Sequence, residues 1–179
     1  MPIPLFHSRF PIGSLIYDLS HLTAFGAAIP GKGNPKGSDL GVVVVFSNHV
    51  FTVRTEHGQP HHLLDHNGSK RSFDPERYEM SKKLSQLLGT AIETNQPAYV
   101  SRSFAGVDNL IVLRVDGGRT WSIVFCFEPI NGGVRMEVLS AHPKVVDQAK
   151  ISRKSISYFA RKCIFQNKRI PENERPSRS

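Results

Sequence analysis

The chain has 179 residues, 39% of them hydrophobic and 21% charged, with 23 Lys and Arg against 15 Asp and Glu. This is enough for one domain with its own core, and it excludes membrane-spanning, collagen-like and mostly disordered classes. The net charge of +8 is uneven: residues 1–139 carry 13 basic and 12 acidic side chains (+1), whereas residues 140–179 carry 10 and 3 (+7). A near-neutral body with a cationic last quarter points to a polyanionic partner.

Within residues 14–28, Leu15, Leu19 and Leu22 recur at i, i+4 and i+7, which predicts a short helix. The longest apolar stretch nearby, Leu22–Ile29, is too short to span a bilayer. Pro11, Gly13 and Asp18 break the pattern of a secretion signal. Gly31–Gly37 (GKGNPKG) reads as a linker, so residues 1–40 form an N-terminal helix and Gly-rich linker ahead of one domain over 41–170. Strand-like runs at 41–46, 50–55 and 61–66, separated by Ser47-Asn48 and Gly58 and ending at Asn67-Gly68, predict a three-stranded antiparallel meander.

Asp74-Pro75-Glu76 opens a helix with a capping Asp, a Pro in the first turn and an early acid. Leu84, Leu87, Leu88, Ala91 and Ile92 form its core stripe, Glu79, Lys82 and Lys83 face out, and Asn95 through Pro97 ends it. Four strands follow at about 98–103, 109–115, 120–127 and 134–140, with turns at Gly117-Gly118 and Asn131-Gly132-Gly133. Trp121, Ile123, Phe125 and Phe127 share one face of the third, and Val134, Met136 and Val138 one face of the fourth, as in an antiparallel sheet covered on one side. Arg153–Asn167 reads as a basic amphipathic helix and 171–179 as a disordered tail. The fold class is α+β, an antiparallel meander with packed helices and a basic C-terminal helix.

Cys126 and Cys163 have no metal-ligand spacing, and two thiols in a chain with a full core indicate a reducing, cytoplasmic compartment. Cys126 alternates within an apolar strand and reads as core. Gly26–Gly33 (GAAIPGKG) nearly matches a phosphate-cradling loop, but Gly33 stands where the magnesium-binding hydroxyl belongs, and Pro35 blocks an immediate helix. His57, His61, His62 and His66 cluster beside Asp65; they are a polar strand, a zinc site or a source of acid–base chemistry near neutral pH. Leu139–Lys144 (LSAHPK) ends the last sheet strand with a hydroxyl, an imidazole and an ammonium. It is either a strand end stopped by proline or a phosphate site, with Ser140 and Lys144 binding while His142 moves a proton. Lys150, Arg153, Lys154, Arg161, Lys162, Lys168 and Arg169 face no acid between Asp147 and Glu172, a footprint for nucleic acid in preference to an acidic protein or lipid headgroups. No nucleophilic triad or paired-carboxylate signature stands out.

A helix followed by a four-strand antiparallel meander ending in Ser140-Ala141-His142-Pro143 resembles the barnase–EndoU–colicin–RelE superfamily of small metal-independent ribonucleases. The segment Leu64–Leu88 is also similar to uncharacterised proteins of bacterial mobile elements and phages. The resemblance spans roughly residues 60–165. It implies a toxin or mobile-element effector that cleaves RNA through the 2′-hydroxyl without a metal or other cofactor, with RNA favoured over DNA, a cognate inhibitor protein as a further partner, and no membrane. Ser140 matches the motif's hydroxyl position, and His142 stands where the motif often has an aromatic. Residue chemistry supplies the remaining candidates: His62 or His66 as second histidine, and Arg102 or Arg119 as cation. A non-enzymatic nucleic-acid-binding or anti-defence protein using the basic helix is the alternative.

Overall fold

The computed structural model describes residues 9–65, 67–102, 107–143 and 152–172. Strands β1 (Arg9–Ile12) and β2 (Leu15–Asp18) form a hairpin, a 3₁₀ turn covers Ser20–Leu22, and β3 (Phe25–Ile29) follows. The helix expected over 14–28 is therefore absent. Leu19 and Leu22 are buried but Leu15 is 60% exposed, so the three leucines share no buried face and tertiary pairing decides the conformation.

Strand β4 (Leu40–Phe46) pairs antiparallel with β3 from Ile29↔Leu40 onward, which makes Gly31–Gly37 a hairpin loop rather than a linker between parts. The loop closes on itself: Gly33 N–H donates to the Ser38 carbonyl (2.7 Å), and Gly31 N–H to Asp39 Oδ1 (3.0 Å). A Cβ on Gly33 would lie 2.3 Å from the Asp39 carbonyl oxygen, so only glycine fits.

The three-stranded meander expected over 41–66 is also corrected. A separate small sheet is built from β5 (Thr52–Arg54), β6 (Leu63–Leu64) and β7 (Lys70–Phe73), in the order β5-β7-β6. The polar run Lys70–Phe73 lacks apolar alternation, yet it is the central strand because both neighbours pair with it.

Helix α1 (Pro75–Glu93) begins where the sequence places it, with Asp74 Oδ1 accepting the Arg77 N–H at 2.8 Å. Leu84, Leu88, Ala91 and Ile92 are fully buried and Leu87 partly so. Then β8 (Pro97–Ser101), β9 (Asn109–Asp116), β10 (Arg119–Ile130) and β11 (Gly133–His142) form the expected antiparallel meander. The basic segment divides: Arg153–Ser155 is β12, paired with β8, and the helix proper, α2, is Ile156–Gln166, capped by Ser155. The main sheet has seven strands in the order β12-β8-β9-β10-β11-β4-β3.

Both helices pack through Leu84, Leu88, Phe159 and Cys163 into one cluster with Ile123, Phe125, Phe127, Met136 and Val138. Each such buried side chain contributes roughly 1.5–3 kcal/mol. Two features of the sheet position the site. First, β4 and β11 are parallel from Gly41↔Gly133 to Phe46↔Val138, so their C-terminal ends meet at the same edge. Gly133 makes this possible, because a Cβ there would sit 2.3 Å from the Gly41 carbonyl oxygen. Second, β11 carries a bulge: Phe125 pairs with Val138 but Val124 with Ser140, leaving Leu139 unopposed. Ser47 secures it, its N–H donating to Val138 O (2.9 Å) and its hydroxyl to Leu139 O (2.7 Å). Beyond the bulge Ala141 turns to the core, while Ser140 and His142 share the opposite face with Val124 and Ser122.

Candidate active site

At the common end of β4 and β11, five short segments converge: the strand end Ser140–His142, the 3₁₀ turn Asn48–Val50, β5, β7 and the first turn of α1. Ser140 Oγ lies 2.9 Å from His142 Nε2, and Arg77 Nη2 lies 3.1 Å from His142 Nδ1. A guanidinium only donates, so His142 Nδ1 accepts and Nε2 carries the hydrogen, which points to Ser140 Oγ. The Ser140 hydroxyl hydrogen is then left to bond elsewhere. In this arrangement His142 does not act as a base toward the Ser140 hydroxyl.

Arg77 also donates through Nη1 to the carbonyls of His49 (3.1 Å) and Thr52 (2.9 Å). Arg71, 8% exposed, donates through Nη2 to that same Thr52 carbonyl (2.9 Å) and through Nε to Thr52 Oγ1 (3.2 Å). Burial works against the charge of both arginines, and Arg71 is disfavoured further by Arg77. Neither makes an ion pair with a carboxylate among the described residues. Two cations thus meet at one carbonyl oxygen, with Asp65 favouring the charge of Arg71, and Asp74 and Glu76 that of Arg77, from a distance and against burial.

On the other side of the turn, His49 Nε2 lies 3.3 Å from Asp65 Oδ2. Asp65 is buried, which raises its pKa, but the N–H groups of Ser69 and Asn67 and the His49 ring outweigh burial and hold the carboxyl below its usual range. Among the described residues, two imidazoles therefore flank this turn. His142 is backed by a guanidinium and His49 by a carboxylate, and Arg77 links His142 to the His49 backbone.

Ser140 and His142 are brought together as their spacing suggested. His62 is placed elsewhere: it precedes β6 on exposed chain, and its Nδ1 accepts the Phe73 N–H at 3.0 Å. The His61–His66 strand that would have aimed it shrinks to Leu63–Leu64 because the following Asn67-Gly68 turn closes on Asp65. His66 lies outside the described residues. Arg119 bonds the Glu76 carboxylate at the α1 N-terminus, and Arg102 bonds Asp108 at 2.6 Å, so both cations are paired on the surface. Lys144 and Lys150 lie outside the described residues. Arg153 and Lys154 are exposed on β12, and Arg161 and Lys162 on α2. Lys168 reaches Glu172 (3.4 Å). Arg169 is a correction: it turns inward and donates to Cys126 Sγ at 3.0 Å, and against burial its charge is favoured by Cys126 first and then by Glu137 and Glu128. Burial pushes the Cys126 thiol up to about 12, so it stays protonated core.

Sequence reasoning missed His49, Arg71 and Arg77 and treated Asp65 only as a neighbour of the histidines. Arg77 carried a signal in hindsight of geometry, since the residue at the third helical position after a capping Asp is held at the strand ends. His49 and Arg71 carried none. Among the described residues no group of three or more His, Cys, Asp or Glu is gathered for a metal ion, and no described helix is long and apolar enough to cross a membrane.

An α+β protein with a seven-stranded sheet and a histidine–arginine–serine cluster at its parallel edge is the class these observations define. A sequence profile of the YjaZ family matches residues 9–165, and the chain belongs to that family. No curated protein and no solved structure matches it.

Proposed function

We propose that this chain is a ribonuclease that cleaves RNA by attack of the 2′-hydroxyl on the adjacent phosphate, its proton transfers carried by His142 and His49. The observation that carries the reading is the pair Arg71 and Arg77 converging on the Thr52 carbonyl beside the Ser140–His142 pair, with no carboxylate in an ion pair with either among the described residues. Such a site favours an oxyanion over a neutral ligand.

In this reaction a base takes the 2′-hydroxyl proton, O2′ bonds to phosphorus, and the bond to O5′ breaks as an acid protonates the leaving oxygen. The products are a 2′,3′-cyclic phosphate and a 5′-hydroxyl. Phosphate oxygens accept charge-assisted hydrogen bonds better than a neutral imidazole does, so a bound phosphate draws Arg77 from His142 Nδ1. That lone pair becomes the base. Asp65 is placed to steady His49 as an imidazolium, which suits it as the acid. Ser140 donates its hydroxyl to a non-bridging oxygen.

The test is direct. Purified chain in EDTA should convert single-stranded RNA to fragments with 2′,3′-cyclic ends, and His142→Ala should slow this about 10²- to 10⁴-fold. If it acts as a toxin, expression should arrest growth and His142→Ala should relieve the arrest. RNA left intact by the unaltered protein sinks the reading.

A further inference from the structure

At the opposite end of β4 the structure holds a second feature that the chemistry above does not use. The β3–β4 loop and α2 face each other across a groove of about 980 Å³. One wall is the loop, with Lys32 and Lys36 exposed; the other is α2, with Tyr158, Arg161, Lys162 and Phe165. Among the described residues no carboxylate lines it.

The order of side chains on α2 matters. Residues i, i+3, i+4 and i+7 share a helix face, so Tyr158 and Phe165 stand two turns apart, about 10 Å along the axis, with Arg161 and Lys162 between them. Phe165 is 90% exposed and Tyr158 49%, large aromatic areas that the core does not use. We infer that this groove binds single-stranded nucleic acid, bases stacking on Tyr158 and Phe165 while Lys32, Lys36, Arg161 and Lys162 contact the phosphates between them. Alternating aromatic and cationic positions match a flexible strand with exposed base faces. A duplex hides those faces, and a flat bilayer would not enter a groove with cations on both walls. The loop amides of Gly31 and Gly33 are already bonded to Asp39 and Ser38, so the loop contributes side-chain charge and no phosphate cradle.

Leu40, which lines the groove, and Phe46, near the His142 cluster, are the two ends of β4, about 20 Å apart at ~3.3 Å per residue. The groove therefore acts as a distal subsite for a strand whose scissile phosphate sits at the cluster. That last step rests on the ribonuclease reading, whereas binding in the groove does not.

The experiment measures anisotropy of a fluorescein-labelled 12-nucleotide single-stranded RNA on full-length His142→Ala protein, with melting curves to confirm folding. Tyr158→Ala with Phe165→Ala should weaken binding about 10- to 100-fold. The log–log salt slope should be about −3 for four contacts and fall to about half that in Arg161→Glu with Lys162→Glu. Equal affinity for a blunt RNA duplex, equal binding to phosphatidylserine vesicles, or affinity unchanged in the aromatic variant each overturns the inference. With His142 restored, the aromatic variant should raise KM for long RNA and leave dinucleotide cleavage unchanged. Binding without cleavage would refute the ribonuclease reading and spare the groove; cleavage without groove-dependent binding would do the reverse.

Discussion

The two ends of β4 use cationic side chains in opposite ways. At the C-terminal end, Arg71 and Arg77 are withdrawn from solvent and their N–H groups are committed to Thr52, His49 and His142. At the N-terminal end, Lys32, Lys36, Arg161 and Lys162 stand in solvent around exposed aromatics. Fixed, desolvated donors are suited to steadying charge that develops at one place, while mobile surface cations suit a polyanion held by counterion release. Net charge by segment therefore separates the two regions only in part. The +7 segment of residues 140–179 supplies Arg161 and Lys162 to the groove, whereas Lys32, Lys36 and the arginines of the cluster come from the nearly neutral body.

That contrast can be broken by substitution. The largest effect belongs to Arg77: its replacement by Ala should lower cleavage about 10²- to 10⁴-fold, and Arg77→Lys should not restore it, because one ammonium cannot hold the His49 and Thr52 carbonyls and bridge to a phosphate as well. Rates measured on a dinucleotide isolate this from the groove, and full activity in Arg77→Lys would remove the bridging role. Next, Phe125→Ala should cost about 3–5 kcal/mol in urea unfolding, since its ring is fully buried between Phe127 and the helices. Phe165→Ala should stay within about 0.5 kcal/mol of the parent. A similar loss at both positions would mean Phe165 is structural.

A smaller loss, about 1 kcal/mol, is expected for Asp74→Ala, which removes the cap from the Arg77 N–H. Because that cap sets the first turn, cleavage should fall along with the melting temperature; a stability loss alone would separate the cap from the site. The slightest effect concerns pH. Asp65 is held below its ordinary 3.8 in the folded chain, so its stabilisation is complete above that value and is lost as pH falls through the lower folded value. Urea midpoints taken downward from about pH 5 should therefore decline less steeply in Asp65→Asn. Parallel curves for the two proteins would show that the Ser69 and Asn67 N–H bonds and the His49 contact do not outweigh burial.

Much of the fold was legible because it is local. Asp74-Pro75-Glu76 with the leucine stripe specified α1, and Gly117-Gly118 and Asn131-Gly132-Gly133 specified the turns of the meander. Ser140 and His142 were legible as a pair for the same reason, two residues apart at a strand end. What failed depended on distant partners. Within 14–28, β2 pairs with β1 and β3 with β4, which in turn pairs with β11, and no leucine spacing encodes those partners. Arg71 and Arg77 are six positions apart on a strand and a helix, and only the chain's turn at Asp74 aims both at Thr52.

Local residue patterns therefore suffice for the α+β class, the four-strand meander, α1 and the concentration of charge near the C-terminus. Tertiary structure alone decided which face the chemistry occupies. Strict alternation would put Ser140 and His142 on the core side with Val134, Met136 and Val138, and the bulge at Leu139 moves them to the other. One extra residue held by Ser47 reverses the facing of everything after it, because side-chain direction in a strand has a period of two.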